Sequence, residues 1–301
     1  MRKTMNDLTV EYRELEKKQY MRRPPTSKDY SQLVKEPTKL YDQDGELVAV
    51  YDQLDEPVLP VSELKRIDYR SDVRIGGLKH TSRIFGYRPR YPLRTDFCAS
   101  ASFNGEYTEM LPELFKLCAQ ASQTYRNEFP DTYQSHMTRT QEILADWKIE
   151  GTPFTSGVIN HTTALSYHLD AGNFKDVNSC MVVFKSKVGG GYLCLPEYGV
   201  ALECSNHSSV TFDGQKIIHG VTPMVKFTTE AYRYSIVFYA LEQLWQCLPL
   251  SEELDRIRQR SMGLAKERQN DPQGLPFAGS SPHLSMKAKS DAIRKVRAGI
   301  A

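Results

Sequence analysis

Of the seven histidines in the chain, His168 alone has a carboxylate two positions on, in His168-Leu169-Asp170. Residues i and i+2 of a strand project from the same face, so this imidazole and carboxylate can share one cation. With 37 acidic residues in 301, about one such pair arises by chance. Residues further along the chain give the pair its weight. His219 comes later, at the end of the apolar run QKIIHG, and beyond it Arg233 opens RYSIVFY with Ser235 two residues on. Two histidines and one carboxylate on separate strands form the facial triad of non-haem Fe(II) oxygenases, which leaves coordination positions open for co-substrate and dioxygen. An Arg on a neighbouring strand supplies the fork that pairs bidentately with the distal carboxylate of 2-oxoglutarate, and Ser235 on the same face adds a donor. The plain alternative, two satisfied core histidines and a surface arginine, explains each residue singly but not the set in strand context.

These residues need strands to hold them. From about 154 to 244, β-branched and aromatic runs alternate with Gly, Asn or Asp: TSGVINHTTALSYH, SCMVVFKSK, GYLCLPEY, VALECS, SSVTF, QKIIHG and YRYSIVFYALEQL. Seven short strands with tight turns predict a sandwich or barrel-like roll. Two helices are predicted ahead of it. Leu111, Leu114, Phe115, Cys118 and Tyr125 recur at helical spacing over 107–128, and Tyr133, Met137, Ile143, Leu144 and Trp147 over 131–147. The fold class is therefore mainly β with flanking α. Residues 1–60 read as a polar lead segment interrupted by prolines, with one hairpin at YDQDGELVAVYD. Residues 61–250 read as the catalytic domain, 251–269 as a charged helix, and 270–301 as a Pro/Gly/Ser linker and basic tail. The triple glycine 189–191 lacks the Lys-Ser/Thr of a phosphate loop and is a turn that lets strands approach closely.

Lys plus Arg is 39 and Asp plus Glu 37, a net charge of +2 that excludes binding nucleic acid by bulk charge. A local patch is present instead. Between Asp72 and Asp96 there are Arg74, Lys79, Arg83, Arg88, Arg90 and Arg94 without one acid, interleaved with Phe85, Tyr87 and Tyr91. Such a stretch suits a DNA groove, because Arg neutralises phosphates while aromatics wedge or stack against bases. The other reading is a solvated face with structural rings. The six cysteines form no CxxC pair and read as reduced, mostly core thiols. No apolar leader or membrane span is evident, which predicts an intracellular, cytoplasmic protein with no membrane contact and no obligate protein partner.

HLDAGN (168–173), GGGYLCLPEYG (189–199), HGVTP (219–223) and RYSIVFY (233–239) resemble the metal- and co-substrate-binding segments of the TET and J-binding-protein family. The short chain is most similar to that family's small phage and protist members, and a phage-encoded protein would act in the cytoplasm of a bacterial host. The resemblance covers roughly 150–245. It implies a double-stranded β-helix (jelly-roll) core, Fe(II), 2-oxoglutarate and O2 as cofactors, and oxidation of the 5-methyl group of a pyrimidine in double-stranded DNA. It further implies His168, Asp170 and His219 as iron ligands and Arg233 and Ser235 on 2-oxoglutarate. Read from the residues alone, Arg94 of the basic stretch and Asn160 are both candidates for the other end of 2-oxoglutarate. Asn173 matches the residue that hydrogen-bonds the target base, and Tyr239 the ring that stacks on it. The base must be flipped out, because one stacked in a duplex cannot reach a pocket in a roll. Arg88 and Arg90 are the expected DNA contacts. Family enzymes acting on 5-methylcytosine commonly carry a base-contacting His eight residues after the Arg, and this chain has Leu241 there. The expected reaction is 5-methylcytosine to 5-hydroxymethylcytosine. Thymine, a protein side chain, a nucleotide or a metabolite are alternative substrates, and a DNA-binding β-roll module is the non-enzymatic alternative.

Overall fold

Successive side chains of a strand point to opposite faces, and the segment Tyr232–Tyr239 shows what that does here. Tyr234, Ile236 and Phe238 enter one apolar core, while Arg233, Ser235, Val237 and Tyr239 face the other way. In the computed structural model, which describes residues 4–69, 71–73, 79–89 and 97–270, this alternation repeats across a large sheet with cores on both sides.

The chain begins with β1 (Asn6–Thr9), α1 (Lys17–Tyr20), β2 (Gln32–Val34), β3 (Thr38–Tyr41), β4 (Leu47–Gln53), α2 (Val61–Arg66), β5 (Ser71–Val73) and β6 (Lys79–Arg88). After β7 (Ala99–Ser100) come α3 (Ser102–Glu106), α4 (Leu111–Glu128) and α5 (Pro130–Gln141). The roll continues with β8 (Ser156–His161), β9 (Leu165–His168), β10 (Ser179–Ser186), β11 (Val188–Gly190) and β12 (Leu193–Leu195). It is completed by β13 (Val200–Leu202), β14 (Ser208–Phe212), β15 (His219–Val221), β16 (Met224–Lys226) and β17 (Tyr232–Tyr239), and α6 (Leu250–Asn270) follows. The large sheet has the order β1-β3-β4-β14-β10-β17-β8-β6-β5, with β7 on β6, and the smaller sheet β2-β13-β12-β15-β9 faces it; β11 and β16 form a separate ribbon. Met181, Val183, Val210 and Phe212 pack against Leu193, Leu195, Leu202 and Val221 between the sheets. This is the expected jelly roll. The outer face of the large sheet is covered by α4, whose Leu114, Leu117, Cys118, Ala121 and Tyr125 are fully buried at three- and four-residue spacing. Each large apolar side chain so buried contributes about 1.5–3 kcal/mol.

Several expectations are corrected. Residues 1–60 are no mere lead segment, because β1, β3 and β4 extend the large sheet and β2 the small one. The hairpin there is β3–β4, turning at Asp42–Glu46 with Gly45 at φ +84°. The segment 154–244 holds ten strands rather than seven: the first run is broken into β8 and β9, and β11 and β16 form the additional ribbon. His219 begins its strand instead of ending one, since β15 runs on to Val221. The second predicted helix stops at Gln141, and Trp147 lies on a separate 3-10 turn. Cys98 and Cys247 are joined in a disulfide across 149 residues; Cys118, Cys180, Cys194 and Cys204 are buried free thiols. The predicted charged helix is α6, whereas the linker and tail at 271–301 lie outside the described residues. No helix among the described residues is long and apolar enough to cross a membrane.

Candidate active site

β9 and β15 pair antiparallel with His168 directly opposite His219, and this register brings the two imidazoles together with ring centroids 4.3 Å apart. Asp170 lies just past the end of β9, where its N–H donates to the Gly214 carbonyl (2.8 Å). Its Oδ1 sits 3.6 Å from His168 Nε2 and 3.7 Å from His219 Nε2. The shared face therefore comes from a backbone anchor in the next turn and not from strand alternation. Each Nδ1 is 2.9 Å from a backbone carbonyl, Ser166 for His168 and Ile217 for His219. That bond holds the proton on Nδ1 and leaves the Nε2 lone pairs aimed at the carboxylate, as metal-ligating histidines require. The three ligand atoms lie within 4.8 Å of one another. Gly214 is needed for this approach, since a Cβ there would collide with Asp170 Oδ2 and stand 3.4 Å from His219 Cε1. The donor set of two imidazoles and a carboxylate fits Fe(II).

A cavity of about 750 Å3 opens beside the triad, between the two sheets. Its floor is built in rows by cross-strand register. Ser82 on β6 lies opposite Asn160 on β8, which lies opposite Ser235 on β17; the next row is Ile84, Val158 and Val237. Asn160 and Ser235 are buried and reach the cavity through this register. The sequence does not single out Ser82, because nothing local distinguishes it from a surface serine on an alternating strand.

Arg233 shares the inner face with Ser235 and is completely buried, yet Nε, Nη1 and Nη2 have no hydrogen-bond partner among the described residues. Burial pushes the guanidinium below its ordinary value, with the Cys204 thiol beside it acting in the opposite direction. A buried charged fork without partners is costly unless an anion completes it, so its donors fit the distal carboxylate of 2-oxoglutarate. At the rim, Asn173 and Leu241 form an isolated antiparallel bridge, and both side chains line the cavity together with Tyr239. Asn173 Nδ2 lies 3.4 Å from Ser179 Oγ, and the Asn173 carbonyl accepts from Gln215 Nε2.

The basic stretch divides. Arg88 is exposed and lines the cavity mouth. Arg83 is instead structural: buried at 4% exposure, it donates to the Asp68 carbonyl (2.7 Å) and Glu106 Oε2 (2.6 Å) and lies over Phe103 and Tyr107. Phe85 is core and so no base wedge, whereas Tyr87 packs edge-on against Trp147 and also lines the cavity. The alternation of β6 puts Arg83 and Phe85 on one face and Ser82 and Ile84 on the other, up to Gly86, where φ +84° interrupts it. Arg90 and Arg94 lie outside the described residues.

Residues 88–242, just over half of the chain, match the family model Tet_JBP, described as the oxygenase domain of the 2OGFeDO superfamily. The thymine dioxygenase JBP1 of Trypanosoma brucei brucei is 26% identical over 167 residues, covering 54% of this chain and 19% of that protein. The enzyme of the same name from Crithidia fasciculata is 25% identical over 176 residues, covering 58% and 21%. The chain thus spans about a fifth of the length of these curated relatives. The solved structure of NgTET1 in complex with 5mC DNA superposes with a TM-score of 0.54 over 86% of this chain and 92% of that one, at 13% identity, and shows the shared fold.

Proposed function

Because the chain belongs to the Tet_JBP family of oxygenase domains in the 2OGFeDO superfamily, we propose that it oxidises the 5-methyl group of a flipped-out pyrimidine in DNA, with 5-methylcytosine as substrate and 5-hydroxymethylcytosine as product. Membership makes it a 2-oxoglutarate-dependent non-haem Fe(II) dioxygenase that uses Fe(II), 2-oxoglutarate and O2. The observation that carries the reading is the convergence of His168, Asp170 and His219 on a cavity lined also by Ser235, which stands two residues along β17 from Arg233, a buried guanidinium without a hydrogen-bond partner among the described residues.

In this reading His168, Asp170 and His219 hold the iron, which when bound supplies oxidative decarboxylation of 2-oxoglutarate to succinate and hydroxylation of the methyl group. Arg233 and Ser235 orient the distal carboxylate, and Asn160, one strand over, approaches the other end of the co-substrate. Their burial excludes water from the co-substrate's tail and fixes its direction before reaction. Asn173 reads the edge of the base with an amide that both donates and accepts, and Tyr239 supplies a face for stacking. A base stacked in a duplex cannot reach this depth, so flipping precedes binding. Arg88 meets phosphates at the mouth. The names of the curated relatives favour thymine as a second reading, as does an apolar Leu241 where enzymes acting on 5-methylcytosine commonly carry His.

The test incubates the protein with Fe(II), 2-oxoglutarate and two duplex oligonucleotides, one carrying 5-methylcytosine and one only thymine as methylated base, and quantifies nucleosides by mass spectrometry. Hydroxymethylcytosine with matching succinate supports the first reading, and hydroxymethyluracil the second. Succinate without a modified nucleoside from either duplex moves the substrate out of DNA.

A further inference from the structure

Lys185 on β10 is the direct cross-strand partner of Arg233 on β17, so two cations lie side by side on one face. Neither forms an ion pair with a carboxylate among the described residues, and the positive charge of Arg233 joins burial in pushing the Lys185 ammonium below its ordinary value. Their hydrogen bonding differs. Among the described residues Arg233 has no hydrogen-bond partner on any guanidinium nitrogen, whereas Lys185 Nζ donates to the carbonyls of Gly190 (2.9 Å) and Glu203 (3.4 Å) and stands 5.4 Å from the Tyr192 ring centre. Gly190 and Gly191 belong to the turn that touches the guanidinium: both have positive φ, and a Cβ on Gly191 would lie 2.8 Å from Arg233 Cδ. Glu203 precedes Cys204, whose thiol lies beside the same guanidinium. One ammonium thus ties together the two backbone segments that wall the Arg233 chamber, and its donors are spent on carbonyls instead of competing for an incoming anion.

We propose that Lys185 is a positioning residue for 2-oxoglutarate: it holds the glycine turn and the Glu203 backbone around Arg233 and adds a second positive charge that tunes the chamber for a dicarboxylate. This rests on the reading of Arg233 as the anchor of the distal carboxylate. Charge-assisted hydrogen bonds lost from such a wall weaken co-substrate binding without touching the base or the reacting methyl.

The test compares the full-length protein with Lys185→Met, Lys185→Arg and Arg233→Met. In Lys185→Met the KM for 2-oxoglutarate should rise roughly tenfold while kcat at saturation and the KM for DNA stay within about twofold; Lys185→Arg, which keeps charge and donors, should restore the KM. A second readout needs no turnover. With Mn(II) in place of iron, the rise in Tm on adding 2-oxoglutarate should shrink in Lys185→Met and recover in Lys185→Arg. Should Lys185→Met fail to fold, Lys185→Gln takes its place. An unchanged KM and Tm rise in the folded variant, or a loss that Lys185→Arg does not recover, overturns the proposal. If Arg233→Met abolishes the 2-oxoglutarate response while Lys185→Met leaves it intact, only the role of Lys185 falls. If neither responds, the assignment of the chamber to 2-oxoglutarate falls with it.

Discussion

Asp170 stands between two imidazoles whose other nitrogens are committed to backbone carbonyls, so in the proposed metal site its carboxylate completes a donor set whose orientation the backbone already fixes. Asp170→Ala should abolish Fe(II)-dependent conversion of 2-oxoglutarate to succinate while the circular dichroism spectrum remains that of the parent, because the anchoring N–H to Gly214 belongs to the backbone. Full turnover in that variant would remove the triad assignment. Also lining the cavity, Asn173 and Tyr239 differ in what they can discriminate. A mismatched edge leaves a buried amide unpaired, whereas every base offers a π-face. Tyr239→Ala should lower product from 5-methylcytosine and thymine duplexes alike, and Asn173→Ala should change their ratio in a competition assay; the reverse pattern would exchange the two roles. The histidines, the carboxylate and the arginine are legible in order along the chain because together they form an ordered set in strand-like segments, which no one of them does singly. Ser82 and Lys185 are not, because their significance comes only from the strand lying beside them.

At the scale of elements, the turn after β17 is held from two sides. Its Leu241 bridges Asn173, and Cys247 at its end is bonded to Cys98, just before β7. The buried carboxylate of Glu253 on α6 accepts the N–H groups of Cys98 (3.1 Å) and Leu248 (3.0 Å), so the helix clasps both half-cystine segments. Closing a 149-residue loop restricts the unfolded chain, and Cys247→Ser should lower stability by about 2–4 kcal/mol, read as a fall in Tm that reducing agent reproduces in the parent. Thiol titration in denaturant should find four reactive groups before reduction and six after it; six from the start would refute the disulfide. Helical spacing reveals α4 and α6, and strand alternation reveals β10 and β17. The N-terminal strands are partly hidden by their polar composition: β1 and β2 lie at sheet edges, where an exposed face needs no apolar residues.

Across the whole molecule, the helical layer and the roll meet at His136. Its ring lies on α5, fully buried, 5.6 Å from Phe154 and from Phe174, with the Tyr125 hydroxyl 3.4 Å from Nδ1. Burial pushes its pKa down to about 3. The unfolded chain takes up a proton near pH 6.5 that the folded protein refuses, so the contribution is whole above pH 6.5 and is lost as pH falls toward about 3. Between pH 6 and 5 the slope approaches 1.4 kcal/mol per unit. Urea midpoints measured at pH 7 and 5.5 should fall accordingly, and His136→Gln, if folded, should flatten the difference; equal slopes would show that this histidine is not the group that titrates. What the sequence determined by itself were the patterns read from near neighbours: period-two alternation, helical spacing, and the order His168, Asp170, His219, Arg233. Only the tertiary structure decided that Cys98 meets Cys247, that Arg83 is bound by Glu106 and not free for DNA, that β1 to β4 complete the sheets, and that Lys185 lies against Arg233. The physical reason is that alternation tells which face a side chain takes but not which strand comes beside it. Strand order is set by burying both faces of the large sheet at once, a condition on the whole chain that no local window contains.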